Sequence, residues 1–196
     1  MTTSAPSDDE TLTKACGGCT MCCKIMAIDE LEKPMGAWCP HCQPGVGCKI
    51  YDERPPSCRA FKCYWLVDPT MAQNLRPDRT KVVLDQDTNG HRMIARCAPA
   101  TPLAWRREPM YSGLKAWARD VWGHGGMVLA MAGRRIWIIT PRQDVDIGEV
   151  DPRSPFSVEE QADGSIKVSI LPPLPAGEIF EPVIRPLTST KLGPAR

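Results

Sequence analysis

Nine of the ten cysteines in this 196-residue chain fall between Cys16 and Cys63. Their spacing is C-x-x-C-x-x-C-C, then C-x-x-C, and then three single cysteines. A segment this short buries too little apolar surface to fold unaided. The thiols therefore indicate a staple, which is either a framework of disulfides or a bound metal.

The residues around the cysteines favour metal over disulfides. Disulfide frameworks are typical of small secreted proteins, whereas residues 1–15 are polar and acidic and lack the basic start and apolar centre of a signal peptide. Cys22 and Cys23 are neighbours, so they cannot easily bridge to each other. We therefore expect a cytoplasmic protein whose thiols stay reduced and available as ligands.

Charge and hydropathy argue against two other kinds of partner. The formal net charge is +1, so nothing attracts the whole chain to nucleic acid, which is not an expected partner. No apolar run reaches the ~18 residues that a membrane span requires, so no membrane partner is expected either. A metal ion is the expected partner, and the sequence does not identify a protein that the chain would bind.

The composition of the sequence changes three times along the chain, which predicts four segments. Residues 1–14 are rich in Ser, Thr and Asp and predict a disordered N-terminus. Residues 15–68 form the cysteine-rich module, and residues 79–171 alternate between strand-like and helix-like patterns. Residues 172–196 contain six prolines and predict an extended tail.

An α+β fold is predicted for residues 79–171, with a small antiparallel sheet and one main helix on a face. The helix is expected over residues 109–122, where Met110, Leu114, Trp117 and Val121 recur on one side. The strands are expected as three hairpins, which join residues 81–85 to 91–97, 127–132 to 135–140, and 156–160 to 165–171.

The first cysteines have the spacing of a metal-binding turn. Cys16, Cys19 and Cys22 lie three residues apart, and Gly17 and Gly18 permit the backbone to turn tightly enough to direct their sulfurs toward one point. The next cysteine in the chain should point elsewhere, because neighbouring side chains diverge. The pattern indicates either two metal sites that share this turn or one polynuclear centre.

The order CGGCTMCC at 16–23, Cys39, CKIY at 48–51 and RPPSCRAFKC at 54–63 resembles the bacterial family of zinc- or iron-chelating domains named for its CxxCxxCC motif. The resemblance covers about residues 16–65. It implies metal binding through about eight cysteines and little about a reaction. The ligands that it implies, position by position, are Cys16, Cys19, Cys22, Cys23, Cys39, Cys48, Cys58 and Cys63.

Three further residues have open roles. Cys42 is a spare cysteine, a substitute ligand or a free thiol, and His41 is either a nitrogen ligand or a surface residue. Cys97 lies in a predicted strand far from the module and is expected in the core. The stretch from Trp38 to Cys42 also looks like the W-C-x-x-C site of thioredoxin-like oxidoreductases, but Pro44 breaks the helix that such a site needs.

The metal and the function are both left with alternatives. Zinc held by four thiolates would be structural, whereas C-x2-C-x2-C with a remote fourth cysteine is also a ligand pattern of iron–sulfur clusters. The first hypothesis is a metal-binding protein with a structural or partner-binding role. The second is an iron–sulfur redox or enzyme component, by loose analogy with family resemblances described as flagellin lysine methylases. Whether the chain is an enzyme stays undecided.

Overall fold

One twelve-residue helix lies against a five-stranded sheet in the computed structural model, which describes residues 13–86 and 92–175. This arrangement confirms the predicted α+β class. The predictions of a disordered start at 1–14 and an extended tail at 172–196 concern residues that lie almost entirely outside the described ranges.

Short elements joined by loops make up the cysteine-rich module. Its helices have at most five residues, and its two strands have two residues each. The strands pair antiparallel, with Cys42 opposite Cys48. The elements are α1 (Met21–Ile25), β1 (Cys42–Gln43), β2 (Gly47–Cys48), α2 (Pro56–Ala60) and α3 (Tyr64–Val67), with a 3-10 turn at Asp29–Leu31. A second 3-10 turn, Gln73–Leu75, and helix α4 (Pro77–Thr80) connect the module to the sheet.

The main sheet has its strands in chain order. They are β3 (Val82–Gln86), β4 (Arg92–Cys97), β5 (Met127–Ala132), β6 (Arg135–Ile139) and β7 (Asp144–Glu149). The two predicted hairpins of this sheet are present, with the first turn outside the described residues. Two features differ from the prediction: β7 is an additional strand, and β4 and β5 pair parallel. The parallel pairing follows from helix α5 (Met110–Val121) between them, because a crossover helix returns the chain to the starting edge.

Both faces of this sheet are covered. On one face, α5 buries Met110, Leu114 and Ala118, which recur at a spacing of four. On the other face lies the third predicted hairpin, β8 (Phe156–Glu160) paired with β9 (Ile166–Ile170). Burial on both sides explains why β6 reads as an almost continuous apolar run.

The module packs on the β3 edge of the sheet. Trp65 and Leu66 of α3 belong to the main core, which also contains Val82 and Leu84. On the opposite face of the same strand, Met21 and Ile25 of α1 pack with Val83. The module therefore shares its largest apolar residues with the sheet.

None of the helices in the described part of the chain is both long enough and apolar enough to cross a bilayer.

Candidate metal centre

Four cysteines surround a small cavity between the module and the sheet. We call them the first cysteine group: Cys16, Cys19, Cys22 and Cys63. The cavity has a volume of about 30 Å³, and its remaining walls are apolar side chains that include Phe61, Leu66 and Val83.

The glycines explain how three of these sulfurs come together. Gly17 adopts a positive φ of 49°, and the amide of Cys19 donates to the carbonyl of Cys16 at 2.8 Å, which closes a tight turn. A Cβ on Gly18 would lie 2.6 Å from the carbonyl oxygen of Gly45, so only glycine lets the turn approach that loop. The CGGC sequence is thus required by both the turn and its neighbour.

Cys63 reaches the first group from the beginning of α3. The backbone N–H groups of Leu66 and Trp65 act to lower the pKa of its thiol. Burial nevertheless raises the pKa of this thiol to about 11. The thiol therefore keeps its proton at neutral pH until an electrophile displaces it.

Four other cysteines form the buried centre of the module itself. We call them the second cysteine group: Cys23, Cys39, Cys42 and Cys58. The thiol of Cys23 shares hydrogen bonds with Cys22 and Cys42. The amide of Cys39 donates to the carbonyl of Cys23 at 3.0 Å, which ties the two cysteine segments together. Apart from Ile28 and Leu31, sulfur side chains make up this cluster, so the module lacks an ordinary apolar centre here.

Burial and neighbouring thiols raise the pKa values of three cysteines in the second group, Cys23, Cys42 and Cys58. The hydrogen bond with Cys22, together with burial, raises the pKa of the Cys23 thiol well above its usual range. Burial raises the pKa of Cys42 to about 11 and also raises the pKa of Cys58. In the absence of a bound metal ion, these three thiols are neutral at pH 7.

Lys33 is buried among these cysteines and has a relative exposure of 4%. Its ammonium group donates to the carbonyls of Met26 and Pro34. Within the described residues it forms no ion pair with a carboxylate, and the ionisable groups that act to raise its pKa are the thiols of Cys39, Cys23, Cys22 and Cys58. Burial is the main reason that the pKa of Lys33 is lowered.

The remaining predicted residues lie in different surroundings. Cys48 is half-buried on β2, opposite Cys42. His41 is half-buried in the turn between Cys39 and Cys42. Cys97 is buried in β4, as expected, and its thiol accepts hydrogen bonds from backbone N–H groups of the 3-10 turn Ala104–Arg106.

The thiols lie near one another, but they do not surround a single point. All ten cysteines lie in the described residues, and none of them forms a disulfide there. Within residues 13–86 and 92–175, no three His, Cys, Asp or Glu side chains have the geometry of a formed metal site. The cysteine side chains would have to change rotamer before their sulfurs could bind one ion.

The donor set fits a thiophilic metal. Thiolates select zinc, copper(I) and iron–sulfur clusters over magnesium or calcium. Eight cysteines in two adjacent groups supply the four ligands that each tetrahedral thiolate site requires.

Two contributing residues were not foreseen from the sequence. Lys33 stands in LEKP, which reads as a charged surface loop, and no pattern there indicates burial. Thr20 is also buried, and its hydroxyl accepts from the amide of Gly45 at 3.2 Å and bonds to the thiol of Cys42. Its place within CTMCC was the available signal, since a polar residue inside a ligand motif often orients a ligand.

No family model matches this chain, and no curated protein or solved structure resembles it significantly. The likeness to the CxxCxxCC family therefore stays a prediction drawn from the motif itself.

Proposed function

We propose that residues 15–68 bind two single metal ions, zinc in each case, through cysteine thiolates. The first site uses the first cysteine group, and the second site uses the second cysteine group. The observation that carries the proposal is the burial of Lys33 among thiols without a carboxylate partner in the described part of the chain.

The argument is one of charge. A buried ammonium costs several kcal/mol unless negative charge faces it. Two of the neighbouring thiols, Cys23 and Cys58, have raised pKa values and are neutral without metal, so they do not compensate Lys33. Four thiolates on a zinc ion carry two net negative charges, because the four sulfur charges exceed the charge of the ion. Lys33 is then a counter-charge rather than an isolated ion.

The second site has two possible fourth ligands. Cys42 is buried and its thiol contacts Cys23, whereas Cys48 is half-buried and faces the group from the neighbouring strand. We assign the role to Cys42, which departs from the ligand set that the family resemblance implies. Cys48 then stands beside the site, and His41 has no role as a ligand.

The role that follows is structural and interactive. Metal supplies the stabilisation that the module lacks, since its own buried centre consists mainly of cysteines. A metal-stabilised module with exposed Trp38, Val46 and Tyr51 offers a surface to a partner. A reducing cytosol is the compartment in which these thiols remain ligands.

The test is metal analysis of protein purified without oxygen. We expect colourless protein with about two zinc ions per chain, and about one after replacement of Cys19 by Ser. Cys97→Ser is the matched control, because this cysteine is buried in the sheet, and it should leave the metal content unchanged. Brown protein that absorbs near ~400 nm and releases sulfide in acid would replace zinc by an iron–sulfur cluster. Protein that folds without any metal would refute the proposal.

A further inference from the structure

A cleft of about 720 Å³ opens between the CxxCxxCC segment and the end of strand β4. We call it the basic cleft and define it by Lys24, Trp38, Arg76, Asp78, Lys81 and Thr101, which line it. Its volume lies within the ~300–1,000 Å³ range of small-molecule sites. The eight or so ligands of the proposed metal sites are not among its lining residues.

Positive charge predominates in the basic cleft. The guanidinium of Arg76 lies 3.1 Å from the carboxylate of Asp78, and it also donates to the carbonyl of Cys16 at 2.9 Å. This pair neutralises the acidic residue in the lining. The ammonium groups of Lys24 and Lys81 therefore leave the cleft with net positive charge, which attracts an anion.

The position of Lys81 is unusual for a lysine. It ends helix α4 with a left-handed φ of 62°, where glycine or asparagine avoids steric cost. Its ammonium group donates to the carbonyl of Asp78, and the residue is exposed. A lysine in this position keeps a cation at the mouth of the cleft.

Trp38 gives the cleft an aromatic wall. Its side chain is 42% exposed, although a large aromatic ring is ordinarily buried. The ammonium of Lys24 lies 5.4 Å from the centroid of this ring. An exposed indole next to a cation is the arrangement that holds a planar ring bearing a negative group, by stacking and ion pairing together.

We propose that the basic cleft binds a small organic anion of the mononucleotide class. A planar heteroaromatic ring stacks on Trp38, and the attached phosphate pairs with Lys24 and Lys81. The hydroxyl of Thr101 at the same wall is available to the sugar or the phosphate. This binding does not depend on which metal the cysteines hold.

The test is calorimetric titration of the full-length, metal-containing protein with AMP. We expect AMP to bind more tightly than adenosine or inorganic phosphate. Adenosine lacks the phosphate that pairs with the lysines, and inorganic phosphate lacks the ring that stacks on Trp38. Binding should weaken as salt is added, since two ammonium groups contribute. Trp38→Ala and the double variant Lys24→Ala/Lys81→Ala should each weaken AMP binding about tenfold or more.

The control is Lys167→Ala, which removes an exposed lysine from strand β9 and should leave the AMP affinity unchanged. Zinc content measured on the same samples shows that each variant has kept its module, and it separates failure of this proposal from failure of the metal sites. AMP binding that is absent at about 1 mM, or unchanged in both cleft variants, overturns the proposal. A uridylate hexamer that binds much more tightly than AMP overturns the assignment to a small ligand.

Discussion

At the scale of single residues, the buried ammonium group of Lys33 bears on whether the nearby sulfurs carry negative charge. The ammonium of Lys33 finds two backbone carbonyls, yet a lysine with 4% exposure also needs negative charge nearby. The sulfurs of the second cysteine group are the available source. In the proposed zinc site, Lys33 therefore compensates the charge of the thiolates and is not itself a ligand.

Replacing Lys33 by Met tests this role. The apolar side chain fills a similar volume but removes the positive charge, so zinc affinity should fall about tenfold or more. A tenfold change corresponds to ~1.4 kcal/mol, which is less than the several kcal/mol that an uncompensated buried charge costs. Competition with a chromogenic chelator measures the affinity. Lys49→Met, at an exposed position beside Cys48, is the control and should bind zinc like the parent protein. Equal or tighter zinc binding by the Lys33 variant would contradict the charge argument.

Cys42 and Cys48 give a second test, because they face each other across two short strands. Cys42→Ser should remove about half of the bound zinc, since a hydroxyl replaces a thiolate poorly at a thiophilic ion. Cys48→Ser should retain the metal content of the parent protein. Elemental analysis of both variants decides between the two cysteines. The reverse result would restore the ligand set implied by the family motif.

At the scale of elements, the sequence predicted the helices and strands whose apolar residues recur with a regular period. Repeats at i and i+4 identified α5, and alternation around Asn89-Gly90 identified the pair β3 and β4. Strand β7 was missed because Asp144, Asp146 and Glu149 give it the composition of a loop. The gathering of the second cysteine group depends on loops without any period, so spacing alone did not reveal that Cys42 lies inside it.

The acidic residue that begins β7 joins this strand to α5. Asp144 lies 3.0 Å from the ammonium of Lys115 and accepts from the hydroxyl of Tyr111 at 2.9 Å, and its side chain is largely buried. Asp144→Ala leaves Lys115 without its ionic partner, so we expect the free energy of unfolding to fall by ~3–5 kcal/mol. Urea denaturation measures the change.

The matched control lies on the same strand. Asp146 pairs with Arg135 at 2.6 Å, but both side chains are exposed, so Asp146→Ala should cost at most ~1 kcal/mol. Zinc content should be unchanged in both variants, because neither residue touches the module. If Asp144→Ala and Asp146→Ala lost equal stability, the buried pair of Asp144 and Lys115 would not stabilise the packing of the helix on the sheet.

At the scale of the whole molecule, the module and the sheet share one strand. Both faces of β3 are covered by the module, through α3 on one side and α1 on the other. Strand β3 is also the edge of the sheet, and an uncovered edge exposes unpaired backbone groups. The state of the metal sites should therefore affect the sheet through this strand.

Removal of metal by a strong chelator under reducing conditions tests this coupling. Thiolate–zinc binding contributes ~10–16 kcal/mol, which rivals the ~5–15 kcal/mol stability of a whole domain, so the module should open when the metal is lost. Hydrogen exchange should then show loss of protection across residues 16–67 and also in β3. Protection should persist in α5, β5 and β6, because these elements share the buried cluster of Leu114, Val128 and Ile139, although Trp117 also contacts Tyr64 of α3. Full protection of residues 16–67 without metal would show that the cysteines are not the staple of the module, whereas loss of protection throughout the sheet would show that module and sheet fold as one unit.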